Sequence, residues 1–451
     1  MNLTYTNEDK RTFTATRNAC RMCAPLGASL AFRGIEGCIP LIHGSQGCST
    51  YIRRYIISHF REPMDIASSN FTEASAVFGG RVNLHTALDN VIHQYNPAAI
   101  GIASTCLSET IGDDVDMLIR EYAKRGIDDA PPIIYASTPS YSGSHIDGYF
   151  KAIVCSIRAL AQNSGQMKSI NIIPGFVSSE DIRHLKEIFY DMKIDAVVFP
   201  DYSETMDGGT WEEYLKISAG GTPVSSIRSM GGASATLQLG GIGFENAADY
   251  LEKSCGVSGE TMGLPIGIDE TDRFFGLIKK ITGCGIPEKY AKERGRLADS
   301  YIDGHKYVFG KRAVIIGDGD MAAGIAGLCA ETGIVPVIIA SGSGTLNSSM
   351  QLVSGSCKEK PAMLADTDFS RVLDLSRDLE PDIVIGPGKA YYVSRELGVP
   401  LVRVGFPVHD RIGGQRMLHI GYRGTLRIFD AIVNTLLEHK QNISAVGYSY
   451  Q

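Results

Sequence analysis

Short apolar runs that end in glycine, proline or small polar residues recur along almost the whole chain, each followed by a stretch with helical spacing. The first three are residues 39–43 (IPLIH), 98–105 (AAIGIAST) and 133–137 (IIYAS), with helix-like stretches at 83–94 and 113–124 between them. An apolar run of this length bounded by turn residues predicts a strand buried on both faces. Alternation of such strands with helices predicts parallel sheets, because parallel neighbours need a long crossover. In open sheets of that kind, ligands lie outside the carboxyl ends of the strands. Those ends are where chemistry is expected.

A second unit opens at 170–176 (INIIPGF) and continues through a helix at 179–192, a strand at 196–200 and glycine-rich loops around Gly208, Gly209, Gly220 and Gly221. A strand at 235–239, a helix at 245–253 and residues 263–268 complete it. Residues 287–304 are charged with helical period and suit a connector. The third unit begins with RAVIIGDGD, carries a helix at 321–332 and strands at 335–340, 382–386 and 401–405, and closes with a helix at 426–439. The expected architecture is α/β: three doubly wound Rossmann-like domains at 1–166, 167–296 and 297–451, a count that suits 451 residues. No internal repeat stands out beyond this recurring pattern.

The first eleven residues, MNLTYTNEDKR, lack the apolar segment of a secretory signal, and no stretch reaches the ~18 apolar residues of a membrane span. The expected location is therefore cytoplasmic, where thiols stay reduced. A formal charge of −7 gives no electrostatic footprint for nucleic acid or an anionic membrane, and neither is expected as a partner.

In that compartment, four cysteines within residues 17–62 (Cys20, Cys23, Cys38 and Cys48) call for a metal or redox explanation. A zinc site would use two close pairs, and only Cys20 and Cys23 are close. A thiol–disulfide C-x-x-C would follow a strand in a small domain, and no exchange partner lies nearby. Cys155, Cys255, Cys284, Cys329 and Cys357 each stand alone among apolar or small residues and read as small buried hydrophobes. Cys23, Cys48 and Cys106 lie instead beside glycine, proline or a polar turn, where a thiolate reaches a ligand and backbone N–H groups stabilise its charge. HGSQGC follows the first strand, Cys106 the second and TPSYSGSH the third, so three strand ends offer Cys48, Cys106 and Ser140 to one crevice.

Other motifs carry less. GDGDMA (317–322) matches the dinucleotide turn G-x-G-x-x-A, but the next strand lacks the acidic residue that would bind ribose, so a tight βα turn explains it. No P-loop occurs, and if ATP drives the chemistry another chain binds it. Neither G-x-S-x-G nor H-E-x-x-H is present. His43, His59, His145, His409 and His419 are scattered and read as structural. Arg53, Arg54 and Arg61 suit a solvated face, or charge compensation beside an anionic cluster.

The run CAPLGASLAFRGIEGCIPLIHGSQGCSTYIRRYIISHFREP, then FTEASAVFGG, STCLSETIGDDV and TPSYSGSHIDG, closely resembles the nitrogenase component 1 family. Within it the match is to the β-type chains, those of the catalytic protein and of the cofactor-assembly scaffold. The resemblance continues through INIIPGF, KERGRLADSYIDGHKYVFGKR and VRVGFPVHDRIG, and so spans nearly the whole chain.

It implies three Rossmann-like domains, an α-type partner in an (αβ)2 assembly, and an iron-sulfur cluster shared with that partner, of [8Fe-7S] P-type or [4Fe-4S] form. The cysteine of C-x-P-L-G-A falls on Cys23, that of HGSQGC on Cys48 and that of S-T-C on Cys106. Ser140 matches a serine that ligates the oxidised cluster in some β subunits, while Cys20 and Cys38 fall outside the set. The cysteine and histidine that hold the active-site cofactor in α-type chains have no counterpart in ATLQLGG (235–241) or VHDRIGGQRMLHIGY (408–422), so no catalytic residue is expected here. The implied role is to relay electrons from an ATP-hydrolysing Fe-S reductase to a cofactor in the partner. The alternative is a non-catalytic scaffold for assembly of the iron-molybdenum cofactor. DYSETMDGG, GGTPVSSIRSMGG and HDRIGGQR look closer to scaffold chains or to nitrogenase-like reductases of other substrates, whereas the complete cysteine set favours electron transfer.

Overall fold

The computed structural model describes residues 20–126, 130–163, 165, 167–213, 215–351 and 359–446. Its strands form three parallel sheets. The first contains β1 (Cys38–His43), β2 (Ala67–Ser68), β3 (Ala99–Ser104) and β4 (Ile133–Ala136) in the order β2-β1-β3-β4. Every residue of β1 and β3 is buried, as expected of strands covered by helices on both faces. The second contains β5 (Ile170–Ile173), β6 (Ala196–Val198), β7 (Ala235–Leu239) and β8 (Ser258–Met262) in the order β6-β5-β7-β8. The third contains β9 (Arg312–Ile316), β10 (Val335–Ala340), β11 (Ala362–Leu364), β12 (Ile383–Gly386) and β13 (Leu401–Arg403) in the order β11-β10-β9-β12-β13.

In each sheet the winding starts at one strand, runs outward and then returns to its other side. That reversal opens a crevice between the carboxyl ends of β1 and β3, of β5 and β7, and of β9 and β12. The doubly wound Rossmann-like architecture expected from the alternating pattern is therefore present.

Two details differ from the sequence expectation. The strand closing the second sheet is Ser258–Met262, not residues 263–268. Those residues lead instead into the helix Ile268–Thr282. SGETM is an edge strand with one neighbour and mostly half-exposed side chains, so it needs no apolar run. The connector helix is also longer than expected: Glu288–Val308 runs without a break through position 296 and packs on the terminal helix Gly421–Ile443, with Gly304 against the Phe429 ring.

One apolar core runs through all three units. At its centre Phe60 and Tyr149 from the first unit, Phe176 and Tyr202 from the second and Phe406 from the third meet edge to face or tilted, at centroid separations of 5.1 to 6.3 Å. Two buried polar clamps fix the third unit onto the others. The Val408 N–H donates to His59 Nδ1 at 3.0 Å. Asp181, fully buried, accepts from the backbone N–H groups of His419 and Ile420 at 2.6 and 3.1 Å and from His419 Nδ1 at 2.8 Å. His419 Nε2 in turn accepts from the Gly405 N–H at 3.2 Å, which assigns the ring its tautomer.

The GDGDMA segment forms the turn between β9 and the helix Gly319–Thr332. Asp318 and Asp320 bring two carboxylates of the protein itself to that helix N-terminus, where a dinucleotide would place its pyrophosphate. Asp320 is held by the Gly241 N–H at 2.7 Å and the Ser349 hydroxyl at 3.0 Å. Beside Asp318, the segment from Cys20 to Met22 meets His145, Phe369, Lys389 and Phe406 around a void of about 10 Å³, room for about one water.

Candidate metal centre

At the end of β1, His43 and Gly44 lead to Ser45, and the helix Gln46–Phe60 begins with Cys48 in its first turn. The Ser45 hydroxyl lies 3.6 Å from the Cys48 Sγ, as a donor. At the end of β3, Thr105 caps the short helix Cys106–Thr110, whose first residue carries an exposed thiol. β1 and β3 pair in register to their last residues, His43 opposite Ser104. The two loops then touch, because the Thr105 hydroxyl donates to the His43 carbonyl at 3.1 Å. Gly44 makes this approach possible, since a Cβ there would stand 2.1 Å from Thr105 Oγ1. Cys48 and Cys106 therefore rise from adjoining loops at the switch point of the first sheet.

Cys23 comes from a different direction. It precedes the helix Ala24–Arg33 and pairs by an isolated antiparallel bridge with Ser144, while the His145 N–H donates to the Met22 carbonyl at 2.9 Å. Ser140 links the two sides of the site. Its backbone N–H donates to the Cys106 Sγ at 3.2 Å, and its hydroxyl accepts from the Ala24 N–H at 3.2 Å. The helices Ala24–Arg33 and His145–Leu160 approach closely enough for this only because Gly27 and Gly148 lack side chains. A Cβ on Gly27 would lie 1.7 Å from the His145 carbonyl oxygen, and one on Gly148 would lie 1.9 Å from that of Ala24. The glycines of CAPLG and HIDG thus set where Cys23 stands.

Two polar groups organise the loops from beneath. His43, buried, accepts at Nδ1 from the Ser69 hydroxyl at 3.1 Å and donates from Nε2 to Asp113 Oδ2 at 3.2 Å, while Asp113 also accepts from the Gly80 N–H at 3.0 Å. Burial opposes the charge on Asp113, but these hydrogen bonds outweigh it and hold the carboxyl below its usual range. Glu109 collects three hydroxyls, from Ser104, Ser137 and Tyr135. The sequence reading passed over both carboxylates. Asp113 is remote from its histidine by 70 positions, and the donors to Glu109 include groups 26 and 28 positions away, so no local pattern announces either.

The other cysteines are set apart by environment. Cys38 starts β1, at the opposite end of the strand from Cys48, and burial pushes its thiol up to about 12. Cys20 packs against the core of the third sheet, and its thiol is pushed up by burial first and then by Asp368. Of the cysteines expected to be buried, only Cys329 is fully so among the described residues. Cys155, Cys255 and Cys284 are half-buried against the core, the first two on helices and the third just after one, and Cys357 lies outside the described residues. The arginines do not act as a unit: Arg53 stands 3.7 Å from Asp65, whereas Arg61 donates to the His409 carbonyl at 3.1 Å.

Among the described residues no three His, Cys, Asp or Glu side chains converge on a position for a single metal ion. Large apolar side chains flank the donors in sequence and stand exposed, Tyr51 by 60%, Leu107 by 37% and Tyr141 by 65%; Phe78, the last residue of the short helix Glu73–Phe78 that precedes Gly80, is exposed by 87%. No helix among the described residues is long and apolar enough to cross a membrane.

The sequence profile of the nitrogenase component 1 type oxidoreductases matches residues 23–437. The nitrogenase molybdenum-iron protein β chain of Clostridium pasteurianum is 36% identical over 434 residues, covering 93% of this chain and 93% of that protein. The nitrogenase vanadium-iron protein β chain of Trichormus variabilis is 35% identical over 441 residues, covering 93% and 94%. Among solved structures, a chain of nitrogenase Cp1 at pH 6.5 superposes with a TM-score of 0.94 at 33% identity over 98% of both chains. A chain of nitrogenase Cp1 at pH 5 shares the fold alone, with a TM-score of 0.72 at 16% identity.

Proposed function

This chain belongs to the nitrogenase component 1 family as a β-type member, and from that we propose that it is the electron-relay subunit of a nitrogenase or nitrogenase-like reductase. Cys23, Cys48 and Cys106 would hold one half of an iron-sulfur cluster, with Ser140 as a further donor. The observation that carries this reading is the Ser140 junction, which ties the loop of Cys106 to the residue after Cys23 through two hydrogen bonds.

The donor set fits such a group. Soft thiol donors suit iron-sulfur clusters, and two of the three are exposed while none shares a single-ion site. Donors arranged in this way suit a polynuclear group completed from outside the chain. An α-type partner would supply the rest, its surface covering the exposed Tyr51, Leu107 and Tyr141. When bound, the cluster supplies a low-potential electron relay.

The residues of this chain would set the conditions for it. The Ser140 N–H donates to the Cys106 sulfur and the Ser45 hydroxyl points to that of Cys48, both of which stabilise negative charge on sulfur. The Gly27 and Gly148 contact holds Cys23 in place. Exposed Phe78, anchored through Gly80, Asp113 and His43, offers an apolar docking point at the same end of the sheet for an ATP-hydrolysing reductase. The assembly would be (αβ)2 and cytoplasmic.

The relatives named above are molybdenum-iron and vanadium-iron β chains, which supports a role as a β subunit. The test is anaerobic co-purification with the α-type partner, followed by iron analysis and reductase-dependent turnover. An interfacial [8Fe-7S] cluster with turnover is expected. A single [4Fe-4S] cluster per αβ pair would reject the P-type form, and cofactor transfer to an apo-enzyme without turnover would establish the scaffold instead.

A further inference from the structure

We propose that Glu109 is a positioning residue of the thiol site, a carboxylate brace that holds the loop of Ser140 against the helical turn of Cys106. Glu109 lies three residues after Cys106 in the same short helix, so its side chain leaves the same face as the thiol. One oxygen, Oε1, accepts from Ser104 at the end of β3, from the Tyr135 hydroxyl in β4 at 3.1 Å and from the Ser137 hydroxyl just beyond β4 at 2.6 Å. Ser104 passes the tie onward, its hydroxyl accepting from the Thr138 N–H at 2.8 Å and its carbonyl from the Thr138 hydroxyl at 2.7 Å. Two residues later the Ser140 N–H meets the Cys106 sulfur at 3.2 Å. The carboxylate therefore closes a ring from Cys106 through Glu109, Ser137 and Ser140 back to Cys106.

A carboxylate in the same helical turn as a thiolate ligand works against the negative charge on that sulfur, since like charges repel. Burial opposes its ionisation, yet the three hydroxyls and Lys151 hold it below the usual carboxylate range, so the brace is anionic at neutral pH. Its consequence for the proposed cluster rests on the function proposed above. A fixed negative charge on the thiol face favours the oxidised form of a thiolate-held redox group and lowers its potential.

The test compares the full chain with Glu109→Gln, which keeps an acceptor oxygen without the charge, and Glu109→Ala, which removes both. In iron-free protein, the alkylation rate of Cys106 relative to Cys23, read by mass spectrometry, reports the brace without any cluster. Glu109→Ala is expected to shift this ratio several-fold and Glu109→Gln to leave it near that of the parent. Ser137→Ala, which removes one donor, should move it in the same direction as Glu109→Ala should the latter fold poorly. An unchanged ratio in Glu109→Ala and Ser137→Ala overturns the brace. In the iron-loaded complex, Glu109→Gln is expected to retain iron and titrate at a more positive potential, and an unaltered potential would limit Glu109 to packing and defeat the proposal. A parent complex with no redox-active iron at this interface defeats the proposed function, while the alkylation ratio still decides the brace.

Discussion

Three thiols on one chain become candidate ligands for reasons that differ residue by residue. Cys48 and Cys38 belong to the same strand-and-turn unit, yet one follows the carboxyl end of β1 and the other begins it inside the core. Cys48→Ala is expected to lower bound iron and weaken association with the partner, whereas Cys284→Ala, half-buried after an outer helix, should leave iron unchanged. Iron analysis and gel filtration of the co-purified complex check both, and equal iron loss would contradict the assignment. The residues around Cys23, Cys48 and Cys106 were legible in the chain, because glycine, proline or a polar turn beside a cysteine is a local signal. Glu109 was not legible, since a glutamate in a helical turn looks solvated until Tyr135 and Ser137 fold over it.

Among the elements, the pair of helices Ala24–Arg33 and His145–Leu160 decides the geometry. Their axes approach through Gly27 and Gly148, where backbone carbonyls occupy the space a methyl group would need. Gly27→Ala is expected to destabilise the chain by about 1–3 kcal/mol or more, as overpacked contacts do. It should also lower iron content, because the helix can yield only by moving Cys23 away from Ser144 and Ser140. Urea unfolding midpoints together with iron analysis separate the two effects. A variant with parent stability and parent iron would show that the contact has slack. The strands of this region were legible as elements, since β1 and β3 are apolar up to their last residues and buried throughout. The edge strands β2, β8 and β11 were not, because two to five half-exposed residues carry no distinctive period.

At the level of the whole molecule, the first and second units are clamped to the third by His59 and Asp181, and both clamps are pH-sensitive with the same sign. Burial carries the His59 pKa down to about 3. Unfolded histidine titrates near 6.5, so below that pH the unfolded chain binds a proton that the folded chain refuses, and stability falls as pH drops from about 6.5 toward 3. From pH 7 to pH 5 the loss from this group is about 2 kcal/mol. His59→Asn, which keeps an acceptor for the Val408 N–H without titrating, should remove that part of the slope. Asp181 acts at lower pH. Despite complete burial, its contacts with His419 and the backbone N–H groups that donate to it hold its carboxyl below the usual range. Its contribution is thus complete above the ordinary carboxylate pKa and is lost as pH falls through the depressed value in the folded chain. Asp181→Asn should cost about 1–3 kcal/mol at neutral pH, since an amide cannot accept all the buried N–H groups that the two carboxylate oxygens take. Unfolding midpoints measured at pH 7, 5 and 4 test both, and a His59→Asn profile parallel to that of the parent would refute the first.

The sequence by itself determined the central strands and the longer helices, that the sheets are parallel, and which cysteines lie beside glycine, proline or a polar turn. Each of these is a local property: burial on both faces writes a continuous apolar run, and a strand end writes a glycine or proline beside it. Only the tertiary structure decided the strand orders, the contact that brings Ser140 between Cys106 and the residue after Cys23, and the separation of Cys20 and Cys38 from that site. These depend on groups 34 to 123 positions apart meeting through shape and desolvation, and no short window of residues encodes such a meeting.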